Sequence, residues 1–174
     1  MEKKKEQLRS QRLVLKPYEE RDRQQVMGIF FNEDVKKTYM IPDFKDEAQA
    51  GELFEKMMAL SRSEQRFVYG IYFQDTFIGF VNDCEMTDSS VEIGYVIAPA
   101  YQGNGFATEA VGVCIEELFR MGFTQVKAGF FEGNIPSCRV MQKCGMHKID
   151  FEEDIEYKGT LHHCIYYAIE KHEA

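Results

Sequence analysis

The chain has 174 residues, of which 44% are hydrophobic and 29% charged, and its net charge is -8. These values are ordinary for a globular protein, so residues 1–174 are expected to form a single domain, with residues 1–7 as a solvated terminus that frays. The acidic balance argues against a nucleic-acid partner, and no apolar run is long enough for a membrane span. Five cysteines without a C-x-x-C pair, and no signal peptide, are typical of reduced thiols in a cytoplasmic protein.

The first half of the chain predicts a strand, two helices and then three strands. Residues 13–16 form a short apolar strand that Pro17 stops. Asp22 precedes apolar residues at helical spacing, and residues 45–61 carry a second such stripe. Residues 32–42, between these two patterns, are expected to form a loop. Three strands joined by tight turns, and therefore antiparallel, are predicted at Phe67–Phe73, Thr76–Cys84 and Ser90–Ile97.

The second half alternates helices and strands before a final pair of strands. A long helix is predicted over Phe106–Met121 with Gly122 as its C-terminal cap, and a short helix begins at Pro136 and ends at Lys143. The strands are predicted at Gln125–Phe131, His147–Tyr157 and Leu161–Ile169. The strand–helix–strand order around the long helix favours one parallel pairing. The fold class is therefore α+β, with one mixed, mostly antiparallel sheet of about seven strands and about four helices.

A glycine-rich loop lies between the third strand of the middle group and the long helix. Gly103 and Gly105 there allow backbone N–H groups to converge, and the helix start adds its unpaired N–H groups, so the layout is typical of a phosphate-binding loop. A Walker loop is disfavoured because no lysine follows the second glycine. A Rossmann loop is disfavoured because Thr108 occupies the third glycine position and the loop comes late in the chain. A turn that only caps a structural helix is the remaining alternative.

The segment Gln102-x-x-Gly105-x-Ala107 resembles the acyl-CoA pyrophosphate motif of the GNAT N-acetyltransferases. The resemblance extends in order along the chain and is closest to the RimJ/RimL-type branch, whose fold the chain is expected to share. It rests on four further segments: Ser10–Pro17, Ile78–Val81, Glu92–Ile97 and Phe130–Gly145. Two positions depart from the family pattern. Met146 replaces a phenylalanine, and His163 stands where an aspartate is common.

The resemblance implies transfer of an acetyl group from acetyl-CoA to a primary amine, with no metal. The acceptor is a protein N-terminus, a polyamine or another small amine, and the enzyme is a monomer or homodimer. The alternative function is a non-catalytic acyl-CoA-binding regulatory module. The residues that the resemblance assigns to acetyl-CoA are Tyr95, Val96, Ile97, Gln102, Gly103, Asn104, Gly105, Phe106, Ala107, Thr108 and Asn134. Tyr95 and Ile97 are otherwise ordinary sheet residues, and Asn134 is otherwise a helix cap.

Two residues are assigned catalytic roles. Glu92 is the first candidate for the base that deprotonates the amine, with Glu85 and Asp83 as alternatives. Ser137 matches the family position whose hydroxyl lies near the cofactor sulfur, and it either protonates the thiolate or satisfies backbone groups at a helix start. Cys138 has no histidine at close spacing, so direct attack in a ternary complex is favoured over a covalent acyl-enzyme. The spacing of Cys144, His147, His162 and His163 fits no common zinc pattern.

Overall fold

The computed structural model describes residues 2–173, which form one open eight-stranded sheet with five α-helices. The strands are β1 (Leu8–Arg9), β2 (Leu13–Lys16), β3 (Val68–Phe73), β4 (Thr76–Met86), β5 (Ser90–Ile97), β6 (Gln125–Phe131), β7 (His147–Tyr157) and β8 (Thr160–Glu170). The helices are α1 (Arg23–Phe30), α2 (Glu33–Thr38), α3 (Glu47–Arg62), α4 (Phe106–Met121) and α5 (Ile135–Lys143). The predicted mixed sheet is confirmed.

The sheet order is β1-β2-β3-β4-β5-β6-β8-β7, and its single parallel pair is β5 with β6. Helix α4 forms the crossover between these two strands, as the strand–helix–strand order predicts. All the other pairs are antiparallel. The crossover places the glycine-rich loop at the carboxyl end of β5, where α4 begins.

Two hydrophobic clusters cover the two faces of the sheet. The α4 face is packed by residues such as Val111, Leu118 and Phe123 against Ile93 and Val126 of the sheet. The opposite face packs against α1 and α3, and its buried residues include Tyr18, Val26, Ala50 and Phe54. The alternation of side chains along β5 therefore sends neighbouring residues into different compartments.

The structure adds one short α-helix and one short strand to the predicted set. Residues 32–42 are not a continuous loop, because Asn32 accepts hydrogen bonds from the N–H groups of Asp34 and Val35 and so caps helix α2. Strand β1 precedes β2 and pairs Leu8 with Leu15. Within residues 2–173, no helix is long and apolar enough to cross a membrane.

The segment before β1 makes specific contacts with helix α4 and strand β3. The N–H of Lys5 donates to the buried Glu117 carboxylate at 2.7 Å, and Tyr69 donates its hydroxyl to the Lys5 carbonyl. Lys4 donates to the carbonyl of Ser61 at 2.9 Å. The residues expected to fray are thus hydrogen-bonded to the domain.

Candidate active site

The glycine-rich loop turns the chain from β5 into α4 through two left-handed residues. Gly103 has φ +77° and Gly105 has φ +78°, a region in which a residue with a Cβ is strained. A Cβ placed on Gly103 meets no atom of the protein within 4 Å. The space beside Gly103 is therefore open, whereas a Cβ on Gly105 lies 3.5 Å from the Arg12 guanidinium.

Carbonyl groups in the loop and at the end of β5 are held by side chains of the loop. Gln102 Nε2 donates to the carbonyl of Ile97 at 2.9 Å. Asn104 Nδ2 donates to the carbonyls of Tyr101 and Gln102, each at 3.1 Å. The side chains of Gln102 and Asn104 thus donate hydrogen bonds to the protein's own backbone, although the family resemblance assigns both residues to the cofactor.

The N–H groups of the same loop are left open. The first helical bond of α4 runs from Glu109 N to Gly105 O at 3.1 Å, and no side chain caps the helix. Within the part of the chain that the structure describes, the N–H groups of residues 103–108 have no hydrogen-bond acceptor. Unpaired N–H groups at a helix start attract anions, so the loop suits a phosphate group.

Strands β5 and β6 separate beside this loop. They pair only from Ser90 with Gln125 to Glu92 with Lys127. Beyond that point, the edge of Ile93–Ile97 that faces β6 has no strand partner, whereas the other edge stays paired with β4. The gap leaves backbone groups available for an extended ligand that pairs like a strand.

Tyr95 and Ser137 meet on the α4 face of the gap. The Tyr95 hydroxyl lies 3.0 Å from Ser137 Oγ and 3.3 Å from the Ser137 carbonyl. Burial raises the pKa of Tyr95 despite its hydrogen bond with Ser137, so the phenol stays protonated at neutral pH. Asn134 Oδ1 accepts from the N–H of Ser137 at 3.4 Å and caps α5, so the capping role of Asn134 is present.

Glu92 lies on the opposite face of the gap, at the last paired position of β5 and β6. Its register partners are Glu85 on β4 and Lys127 on β6. Lys127 Nζ makes its ion pair with Glu85 at 3.4 Å, and among the described residues the side chain of Glu92 has no hydrogen bond or ion pair of its own. Burial raises the pKa of Glu92; Lys127 opposes this shift, and Glu85 and Glu153 add to it. A half-buried carboxylate with a raised pKa is suited to accept a proton.

The two alternative bases are separated by a bulge in β4. Asp83 pairs with Ile93 and Glu85 pairs with Glu92, so Cys84 is an extra residue and the two carboxylates point to opposite faces. Asp83 is buried and accepts from the Phe67 N–H at 2.8 Å. Its other oxygen accepts from Arg66 Nε at 2.6 Å. Asp83 is therefore engaged in the structure, and only Glu85 lies beside Glu92.

A hairpin made by β7 and β8 contacts the segment between α2 and α3 on the Glu92 face. The Tyr157 hydroxyl accepts from the N–H of Ile41 at 3.2 Å and lies 3.3 Å from the carbonyls of Tyr39 and Ile41. Tyr39 in turn donates its hydroxyl to Asn82 Oδ1 at 2.6 Å. Tyr157 was not predicted as a site residue. No local sequence signal marks it, because its partners lie 116 and 118 residues earlier in the chain.

The histidines near the end of the chain are used in two different ways. His162 stacks on Phe131, with ring centroids 4.3 Å apart. His163 bonds Asp154 at 2.8 Å and Glu152 at 3.0 Å, and these hydrogen bonds raise its pKa. Within residues 2–173, no three His, Cys, Asp or Glu side chains are arranged to hold a metal ion.

The cysteine next to Ser137 lies beside a tyrosine. Cys138 Sγ lies 3.4 Å from the Tyr167 hydroxyl. Cys144 Sγ lies 3.4 Å from the Thr108 carbonyl, and burial raises its pKa to about 11. The Cys144 thiol is therefore a poor nucleophile at neutral pH.

The sequence matches known proteins over most of its length. The model of the acetyltransferase (GNAT) domain matches residues 12–147, which is more than half of the chain. The uncharacterized N-acetyltransferase YnaD of Bacillus subtilis is 30% identical over 161 residues, covering 87% of this chain and 88% of that protein.

Two solved structures show the same architecture. A GNAT-family acetyltransferase from Bacillus anthracis has a TM-score of 0.82 and 24% identity, covering 96% of this chain and 99% of that one. RimL, a ribosomal L7/L12 alpha-N-protein acetyltransferase solved with coenzyme A, has a TM-score of 0.79 and 16% identity, covering 92% of this chain and 95% of that one. The resemblance to the RimJ/RimL branch is confirmed at the level of the fold, and the chain belongs to the GNAT acetyltransferase family.

Proposed function

We infer that this protein transfers the acetyl group of acetyl-CoA to a primary amine by direct attack in a ternary complex. The observation that carries this inference is the continuous path from the loop to the gap. Open N–H groups at residues 103–108 lead directly to the unpaired edge of Ile93–Ile97. A pyrophosphate followed by an extended arm with amide groups has the chemistry that this path would satisfy.

The donor is held mainly by backbone groups. The N–H groups from Gly103 to Thr108 bind the pyrophosphate, and the open space at Gly103 lets the phosphate oxygens approach the chain. The free edge of β5 at Tyr95, Val96 and Ile97 pairs with the pantetheine arm, and Asn134 has its amide nitrogen available for the same arm. An N–H group of β5 near Tyr95 or Val96 stabilises the negative charge that develops on the thioester oxygen.

The chemistry divides between the two faces of the gap. Glu92 accepts a proton from the ammonium form of the acceptor, directly or through water, because a free alkyl amine with a pKa near ~10.4 is mostly protonated at neutral pH. The amine nitrogen then forms a bond to the acetyl carbon, and the carbon–sulfur bond breaks. Ser137 gives a proton to the departing thiolate, and the second proton that the nitrogen loses as the amide forms restores the Ser137 hydroxyl. Tyr95 keeps that hydroxyl oriented by the 3.0 Å hydrogen bond.

The acceptor approaches from the Glu92 face. Two carboxylates, Glu85 and Glu153, and one ammonium, Lys127, lie close enough to affect the pKa of Glu92. With Glu92 itself, carboxylates outnumber cations here, which favours a cationic amine. RimL, by its name, acts on the α-amino group of a ribosomal protein. A protein N-terminus, a polyamine or another small amine is the corresponding acceptor class here, with a monomer or homodimer as the working unit.

The experiment is an acceptor screen that measures release of free CoA. Purified protein is incubated with acetyl-CoA and a panel of peptides with free N-termini, polyamines and small amines, and thiol release is followed over the no-acceptor background. Acetylation of at least one amine supports the enzyme. Tight acetyl-CoA binding without release for any amine would instead favour the non-catalytic acyl-CoA-binding module.

A further inference from the structure

Arg12 is tied to both sides of the junction between the glycine-rich loop and α4. Its Nε donates to Glu109 Oε2 at 2.8 Å, and its backbone N–H donates to Glu109 Oε1 at 2.6 Å. Its Nη2 donates to the carbonyl of Asn104 at 3.0 Å, and its guanidinium lies 4.5 Å from the centroid of the Phe106 ring. The side chain of Arg12, just before β2, thus contacts three residues of the junction: Asn104, Phe106 and Glu109.

The hydrogen bond from Arg12 to the Asn104 carbonyl orients the N–H group of Gly105. The carbonyl of Asn104 and the N–H of Gly105 belong to one planar trans peptide unit, so they point in opposite directions. Holding the carbonyl against Arg12 therefore turns the Gly105 N–H away from Arg12. Because Gly105 tolerates many backbone conformations, this peptide would otherwise rotate with little resistance.

Three other carbonyls, in the loop and at the end of β5, accept hydrogen bonds from loop side chains. These are the carbonyls of Ile97, Tyr101 and Gln102. The carbonyl of Asn104, by contrast, is held from outside the loop, by Arg12, which lies 92 positions earlier in the chain.

We propose that Arg12 is a positioning residue for the donor site: its fork between Glu109 and the Asn104 carbonyl fixes the Gly105 N–H toward the pyrophosphate of CoA. The proposal rests on the proposed function, because it requires CoA to bind at this loop. The fork geometry is essential, since a guanidinium can donate to a carboxylate and a carbonyl at once, whereas an ammonium is a point charge. Arg12 itself need not touch the phosphates.

The test is calorimetric titration of the full-length protein with CoA and with 3′-dephospho-CoA, which share the pyrophosphate. R12A and R12K are both expected to raise the Kd about tenfold for both ligands, the loss expected for one misdirected charge-assisted hydrogen bond. The double variant R12A/E109Q is expected to stay as weak as R12A. R120A is the matched control, because Arg120 is also paired with a glutamate of α4, Glu117, but lies at the far end of the helix. Its Kd is expected to stay within about twofold of the wild type.

Several outcomes would overturn the proposal. Wild-type affinity in R12A, or recovery in R12K, would show that the fork is not needed. Recovery in R12A/E109Q would show that Arg12 only neutralises the charge of Glu109. A loss confined to CoA would mean that Arg12 contacts the 3′-phosphate directly. If the wild type itself binds neither ligand, the proposed function fails instead, so the two failures are distinguishable.

Folding is controlled in two ways. Thermal unfolding of each variant without ligand shows whether it is folded at the titration temperature. If R12A is unfolded there, R12K carries the test, because its charge still pairs with Glu109. The NMR shift of the Gly105 amide provides an independent readout, since CoA is expected to move it in the wild type and much less in R12K.

Discussion

Replacing Gly103 by alanine separates backbone strain from ligand contact. Gly103 has φ +77° and Gly159, in the turn between β7 and β8, has φ +73°, and a Cβ at either position meets no atom within 4 Å. The left-handed conformation costs a residue with a Cβ about 1–2 kcal/mol. G103A and G159A are therefore expected to lower the Tm of the free protein by similar amounts, roughly 2–4 °C per kcal/mol for a chain of this size.

The two variants are expected to differ in CoA binding. In G103A the methyl group enters the space in which phosphate oxygens approach the loop, and the loss of one charge-assisted hydrogen bond, about 1.5–3 kcal/mol, raises the Kd roughly 10- to 100-fold. G159A leaves the loop untouched and keeps the wild-type Kd. The assay is calorimetric titration with CoA alongside thermal unfolding without ligand. A G103A variant that loses stability like G159A but binds CoA normally would refute the position assigned to the pyrophosphate.

Three further predictions concern the chemistry, and each uses an acceptor found in the screen. E92Q is expected to lower kcat/KM about 100-fold near neutral pH and to remove the acid limb of the pH–rate profile. If E92Q keeps this limb, Glu92 is not the base. Because the pKa of Glu92 is raised in the folded state, ionising it costs stability as the pH rises from the usual Glu range through that pKa, so E92Q should also raise the Tm at neutral pH. S137A is expected to lower kcat about tenfold with little change in the KM for acetyl-CoA. Y95F, which removes only the hydroxyl that orients Ser137, should lower kcat less. If S137A and the wild type have equal kcat across the pH range, Ser137 has no part in the mechanism. Y157F leaves the Ile41 N–H without its hydrogen-bond partner, which lowers stability by roughly 1 kcal/mol. It should raise the KM for the amine substrate while the Kd for CoA is unchanged. A change in CoA affinity alone would contradict the proposal that this contact lies beside the amine.

Local patterns predicted most of the elements because their causes are local. The apolar stripe of Phe106–Met121 and the cap at Gly122 are set by neighbours within a few residues, and the predicted bounds agree with helix α4. Helix α2 was missed because it is only six residues long, and its signal is a single Asn32 cap.

The arrangement of carboxylates on the Glu92 face could not be predicted from local patterns. Asp83 and Glu85 stand two residues apart, so a regular strand would put both on one face. The bulge at Cys84 reverses this, and only Glu85 lies beside Glu92. A bulge depends on how β4 pairs with β5, and the sequence of β4 alone contains no signal for that pairing.

The sequence by itself determined the glycine-rich loop of this protein. The two glycines, the preceding strand and the following helix are contiguous, so the loop, its positive φ angles and its open N–H groups all follow from neighbouring residues. Only the tertiary structure decided which groups surround that loop and the gap: Arg12 reaches Glu109 across 97 residues, and Tyr157 reaches Ile41 across 116. Contacts at such separations depend on strand order and register, which are set by the packing of the whole sheet and not by any short segment.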